Sequence, residues 1–420
     1  MGRLSAIGLV FAVAFGFVLP DSASADTLAI VHAEAWTMTG AEPVKDATIV
    51  VSDGKIIAVQ AGTSPPTGAR VLDAKGRRVT PGLFHAATRL GLVELPDAKE
   101  TQDAAISAGS LGAGFDIQYA LNPNSPLIAL ARADGLTSAM SYPASTKTAP
   151  FSGMGAALRL HAGDSVLDRP GVGVFVTIGG HSSEGAGGSR AAQWQLLRGA
   201  LDAARKAAAR TIDVQALEQV LSGAVPLAIS TNRESDIRQA IRLAADYKLR
   251  VVIIGGAEAW RTADALAAAQ IPVIVDPQEN LPDSFDSIGL RADNAALLHK
   301  AGVKVATVVM TGSHQSFNAG LSMREGAGRA VANGLPYNEA LRAVTIIPAE
   351  IWGMADRYGT IEPGKAADLV IWDGDPLEPT STALAVIIGG KEASLVTRQT
   401  ELRDRYMRKA GLPSAAQNSP

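Results

Sequence analysis

The sequence predicts an α/β protein: a parallel sheet, open or closed into a barrel, beside a small antiparallel β unit. Three observations predict it. From about Val79 onward, short strand-like runs alternate with helix-length stretches, the rhythm of β–α units on a parallel sheet. Those runs are near-continuous in Val and Ile, as strands buried on both faces read. Residues 26–80 and 360–395, by contrast, break into short β runs separated by turns.

The elements follow in order. Thr48 to Val51 and Ile56 to Gln60 form a hairpin across Ser52-Asp53-Gly54-Lys55, because Asp-Gly suits a two-residue turn. Val71 to Asp73 is another strand, ended by the turn Lys75-Gly76. Val225 to Ile229 leads into a helix over Glu234 to Tyr247, and Arg250 to Ile254 into one over Ala257 to Ala269. Ile271 to Val275 precedes a Pro- and Asp-rich loop and the helix Asn294 to Ala301. Val303 to Val309 precedes a loop and the helix Leu321 to Asn333. Ala367 to Trp372 and Ala385 to Ile388 flank the turn Asp373-Gly374-Asp375-Pro376. The simplest closure joins these last strands to the N-terminal ones. Arg398 to Arg408 reads as a solvated terminal helix with i,i+4 charge pairs, followed by a frayed tail.

Composition narrows the function. The chain has 420 residues, a net charge of −3 and no basic block, which argues against nucleic acid as a partner. It has no Cys, so disulfides, thiolate zinc sites and a Cys nucleophile are all excluded. Residues 1–25 carry Arg3, an apolar run from Ile7 to Leu19 and the A-x-A site Ala23-Ser24-Ala25. This reads as a secretory signal peptide cut before Asp26, since the run is shorter than the ~20 residues a spanning helix needs. The expectation is export across the inner membrane to the periplasm, with no membrane association after cleavage.

Three stretches carry a family resemblance: VVSDGKIIAV at 50–59, VTPGLFHAATRLG at 79–91, and AVTIIPAEIWGMADRYGTIEPGKAADLVIWDGDPL at 343–377. They resemble the amidohydrolase superfamily, of the imidazolonepropionase-like kind. The resemblance implies a distorted (β/α)8 TIM barrel over residues 81–359. It also implies a small β-sandwich built from residues 26–80 and 360–395, with 396–420 as a terminal helix and tail. It implies hydrolysis of non-peptide C–N bonds, with one or two divalent metals at the barrel mouth activating a water.

The positions that match the family's metal ligands carry other residues. The two His of the first-strand motif fall on Ala87 and Arg89, the fifth-strand His on Ser230, the sixth-strand His on Gly255 and the eighth-strand Asp on Gly312. Ala and Gly offer no donor atom, and Arg89 brings a fixed positive charge. No Lys occurs between Lys147 and Lys206 to serve as a bridging ligand on the fourth strand. A rebuilt metal site would need His85, His181 and His314 to converge with Glu184. His85 reads as a buried core residue, and His32, His161 and His299 as surface or structural ones.

Two other readings concern the mouth. The Gly-rich stretch Gly179 to Ser189 lacks GxxxxGK[ST] and reads as a long βα loop. Arg89, His181, Ser230, Asn232, Arg233 and His314 are the ligand-binding candidates, because Arg grips carboxylates bidentately. The same residues could instead bond one another and plug the mouth. No G-x-S-x-G supports a Ser nucleophile. The expectation is a family member without a metal cofactor, silent or reduced in catalysis, that binds a small ligand or serves as partner subunit to an intact relative. The rival is an active hydrolase with a rearranged or metal-independent site, which would require zinc or another divalent metal only in the first case.

Overall fold

The computed structural model describes residues 27–95, 97–106, 111–144, 150–310 and 317–410. The signal-like segment and the last ten residues lie outside them. Two sheets of eight strands each organise the chain.

The first sheet takes both chain ends. Its N-terminal strands are β1 (Thr27–Ala35), β2 (Val44–Ser52), β3 (Lys55–Ala61), β4 (Arg70–Asp73) and β5 (Arg78–Pro81). The barrel strands are β6 (Leu83–Thr88), β7 (Leu136–Ser141), β8 (Phe151–Arg159), β9 (Leu167–Thr177), β10 (Leu227–Thr231), β11 (Val251–Gly255), β12 (Val273–Val275) and β13 (Val305–Thr307). The chain then returns to the first sheet with β14 (Leu369–Trp372), β15 (Ala383–Ile388) and β16 (Lys391–Glu392). The order there is β16-β15-β14-β5-β1-β2-β3, with β4 also paired to β1. The β2–β3 turn holds Asp53 at φ 50° and Gly54 at φ 74°, the two left-handed residues a tight hairpin needs.

Alternation in β14 and β15 divides their side chains between two cores. Leu369, Ile371, Ala385 and Ile387 pack with Leu28, Ile30, Ile49 and Val51 inside the first sheet. Val370, Trp372, Val386 and Ile388 join the barrel core instead. Successive strand residues point to opposite faces, so one strand serves both.

The barrel sheet runs β6-β7-β8-β9-β10-β11-β12-β13 and is nearly closed, a distorted TIM barrel. Helices α1 (Pro126–Ala133), α2 (Arg190–Lys206), α3 (Ile212–Leu221), α4 (Glu234–Tyr247), α5 (Ala263–Ala268), α6 (Asn294–Lys300), α7 (Ala319–Ala332), α8 (Tyr337–Ala343) and α9 (Ile346–Ile351) surround it, and α10 (Arg398–Lys409) ends the described chain. The distortion is local. β7 pairs β8, and β8 pairs β9, antiparallel, so a meander stands where the resemblance implies parallel β–α repeats. The other barrel pairings are parallel. No helix among the described residues is long and apolar enough to cross a membrane.

Several elements differ in detail from the sequence expectation. The helix expected at Ala257 to Ala269 starts as a 3-10 turn, Ala259–Thr262, before α5. The cause is its entry through Gly255 and Gly256, both at positive φ, with Asn232 Oδ1 accepting from the Ala257 amide at 3.3 Å. In α10 the described ion pair joins Arg403 to its neighbour Asp404, in place of the expected i,i+4 pairs.

Candidate functional site

The barrel strands that run parallel end at one mouth, and the site is built from their tips. Ala87 is fully buried in β6. Two residues on, the Arg89 guanidinium lies 5.9 Å from the centre of the Tyr142 ring, just after β7. Tyr142 stacks on Phe175 at 5.0 Å, and Phe175 on Trp352 at 5.6 Å. Trp352 Nε1 donates to the Ala86 carbonyl at 2.8 Å, which ties the column back to β6. Glycine makes the room: a Cβ at Gly155 would stand 2.6 Å from the Phe175 ring, and one at Gly173 3.1 Å from Trp352. Arg89 therefore lies beside the outer ring of a core stack. Arg89 Nε is buried with no hydrogen-bond partner, and no described residue forms an ion pair with this side chain.

On the facing tips, Ser230 and Thr231 end β10 and Asn232 follows. Thr231 Oγ1 is buried without a partner. Gly255 ends β11 at φ 94°, and a Cβ there would stand 2.5 Å from Asn232 Oδ1. Asp276, after β12, is committed to the fold: it accepts from the Gln278 amide at 2.9 Å and the Met310 amide at 2.7 Å. Such carboxylate-to-amide bonds hold the tips of β12 and β13 together.

Two loops meet over the mouth. The Gly-rich loop contains a 3-10 turn, His181–Ala186, and leads into α2, where Ser189 caps the helix by accepting from Ala192. Gly180 N donates to Asp286 Oδ2 at 2.7 Å, and Arg190 pairs with Asp286 Oδ1. Arg190 Nε also lies 3.6 Å from Asp236. Burial holds the Asp236 carboxyl above its usual value, outweighing the Trp194 hydrogen bond and the nearby Arg233 and Arg190 charges. This clasp joins the loop after β9 to the loop after β12.

Beneath the clasp is a cleft of about 770 Å³, within the usual range for small-molecule sites. Arg89, Tyr142, Ser230, Thr231, Asn232 and Gly255 line it, with Ile106, Ile178, Ile254 and Met310 as apolar surface. Glu184, Glu279, Asp283 and Asp286 add carboxylates.

Of the sequence candidates, Arg89, Ser230 and Asn232 thus come together. Arg233 does not line the cleft; it precedes α4 and its charge acts on Asp236. His314, Gly312 and the side chain of His181 lie outside the described residues. His85 is deep and fully buried, with Nδ1 accepting weakly from the Ala87 amide at 3.4 Å and Nε2 unpartnered. It does not line the cleft, and burial drives its pKa down to about 3. His32 pairs with Asp73 at the surface, and His161 bonds the Ala162 carbonyl. Sequence reasoning missed Tyr142, Thr231, Asp283 and the Arg190–Asp286 clasp. A Tyr-Pro pair directly after a strand was the available signal for the first.

Comparison with known proteins agrees with this architecture. A family model described as "Amidohydrolase family" matches residues 257–396. An amidohydrolase from Thermotoga maritima MSB8 superposes with a TM-score of 0.80 at 26% identity, over 87% of this chain and 99% of that one. The family model and this structural likeness together support membership of the amidohydrolase superfamily. Local sequence matches point the same way. The imidazolonepropionase of Sphingopyxis alaskensis is 56% identical over 46 residues, and the amidohydrolase tasK of Hapsidospora irregularis 44% over 64. Those matches span only 11% and 6% of the relatives' own lengths.

Amidohydrolases of this kind imply a dication at the mouth, and the residues present do not fit one. Ala87 and Gly255 have no donor atom, and Arg89 repels a cation. At Gly255 the backbone itself is unsuited, because the left-handed region and the Asn232 contact both oppose a side chain. Among the described residues, no group of three or more His, Asp or Glu could hold a metal ion.

Proposed function

We propose that this amidohydrolase-superfamily protein binds a small carboxylate-bearing ligand at the barrel mouth and has lost, or greatly reduced, metal-assisted C–N bond hydrolysis. One observation carries the reading. An unpaired guanidinium occupies a family metal-ligand position beside a cleft of ligand size. A dication would be repelled there, whereas a carboxylate would satisfy the buried donor. The purified protein is expected to contain substoichiometric zinc and to show no turnover that a chelator abolishes. Stoichiometric metal with chelator-sensitive hydrolysis would overturn the proposal in favour of an active enzyme with a rearranged site.

The proposal includes export to the periplasm, supported by the signal-like residues 1–25. Cell fractionation with N-terminal sequencing of the mature protein tests it, with Asp26 as the expected first residue. It also includes a partner subunit, supported by Leu281 and Phe285, which are 80% and 88% exposed on the rim loop. Co-purification with an intact relative is the expected result, and a lone monomer under all conditions would remove that part.

A further inference from the structure

We infer that the ligand is amphoteric, with a carboxylate taken by Arg89 and a cationic nitrogen taken by Glu184 and Asp283. This rests on the reading above and adds the second charge. The cleft carboxylates differ in how they are satisfied. Asp286 is neutralised by Arg190 and the Gly180 amide. Among the described residues, Asp283 accepts from a neutral hydroxyl, that of Ser287 at 3.1 Å, and no cation pairs with it. Glu184 is exposed, and no described cation pairs with it either.

Among the described residues, one unpaired cation and two carboxylates without a cationic partner therefore face the same space. They do not plug it by pairing with one another. A purely anionic ligand would meet Arg89 but leave the carboxylates facing its body. A purely cationic one would gain the carboxylates and meet Arg89. Only a molecule carrying both signs satisfies both banks, since unlike charges attract and like charges repel strongly once water is displaced. Ile178, Ile254 and Met310 also line the cleft, so the ligand body has apolar surface to pack against. The outer ring of the Tyr142–Phe175–Trp352 column lies 5.9 Å from the Arg89 guanidinium, a cation–ring approach that favours this position of the charge.

Calorimetry and thermal-shift measurements on the mature full-length protein test the inference with matched probes: ε-aminocaproate against caproate and hexylamine, γ-aminobutyrate against butyrate and butylamine, and L-leucine against isocaproate and isoamylamine. At least one amino acid is expected to bind roughly tenfold or more tighter than both of its halves, a free-energy gap of about 1.4 kcal/mol. Arg89→Met should remove binding of both amino acids and carboxylates, and Arg89→Lys should restore it in part because it keeps charge without the fork. Glu184→Gln with Asp283→Asn should erase the preference for amino acids while leaving carboxylate binding intact. Carboxylates binding as tightly as their amino acids would sink the amphoteric ligand and leave the carboxylate reading standing. No binding by any carboxylate or amino acid would sink both.

Discussion

Two of the arginines that lie over aromatic rings, Arg324 and Arg89, have different fates. Arg324, on α7, lies 4.6 Å from the Trp372 ring at the joint between the sheets. It is 1% exposed and donates to the carbonyls of Pro376, Ser381 and Glu378 at 2.6, 2.6 and 2.9 Å. Arg89, on Tyr142 at the mouth, donates to nothing among the described residues. Arg324 has spent its donors on the fold, while the Arg89 side chain keeps its own uncommitted among the described residues. A buried donor without a partner is costly for stability, a cost that the proposed carboxylate ligand would relieve.

The largest expected effect tests that contrast directly. Arg324→Met orphans three carbonyls and should cost about 3–5 kcal/mol. Arg89→Met should leave the unfolding free energy from urea titration within about 1 kcal/mol of wild type, or raise it. Equal losses would erase the distinction. Next, Gly255→Ala should cost about 1–3 kcal/mol, because the side chain would occupy a left-handed backbone against Asn232. Restoring His at 87, 89, 230 and 255 with Asp at 312 should therefore fail to recover zinc binding, measured by metal analysis after dialysis. Recovery would mean that the mouth backbone yields more readily than its geometry suggests.

A pH effect comes third. In the unfolded chain His85 protonates near its ordinary value of 6.5, while burial holds the folded group near 3. Between those values the unfolded state binds more protons, so stability falls as pH falls and the loss is complete below about 3. The urea midpoint should drop less from pH 7 to pH 4 in His85→Gln than in wild type; an identical drop would clear His85 of the effect. The smallest change is expected from Arg190→Gln, which opens the clasp to Asp286. It should cost about 1 kcal/mol or less, because the pair is partly exposed, and should speed ligand association in stopped-flow measurements.

Much of the scaffold was legible in the sequence. Asp53-Gly54 announced its hairpin, and the Val/Ile runs at 251–254 and 273–275 announced barrel strands, because turn geometry and two-faced burial leave local signatures. The antiparallel β7–β9 meander was not legible: strand direction is set by long-range pairing, which adjacent residues do not encode. At the mouth, Ala87, Arg89, Ser230 and Gly255 could be read as departures from a ligand pattern. Their meaning needed geometry. Only the fold shows that Tyr142 lies beside Arg89, that Asn232 fills the space beside Gly255, and that the Arg233 charge acts on Asp236.

The divided strands β14 and β15 have a mechanical consequence. Because alternate residues such as Ile371 and Trp372 belong to different interiors, neither interior can melt without stripping a wall from the other. Heating should therefore produce one shared transition, and truncating the chain near residue 360 should yield two insoluble fragments, neither of them a free-standing barrel.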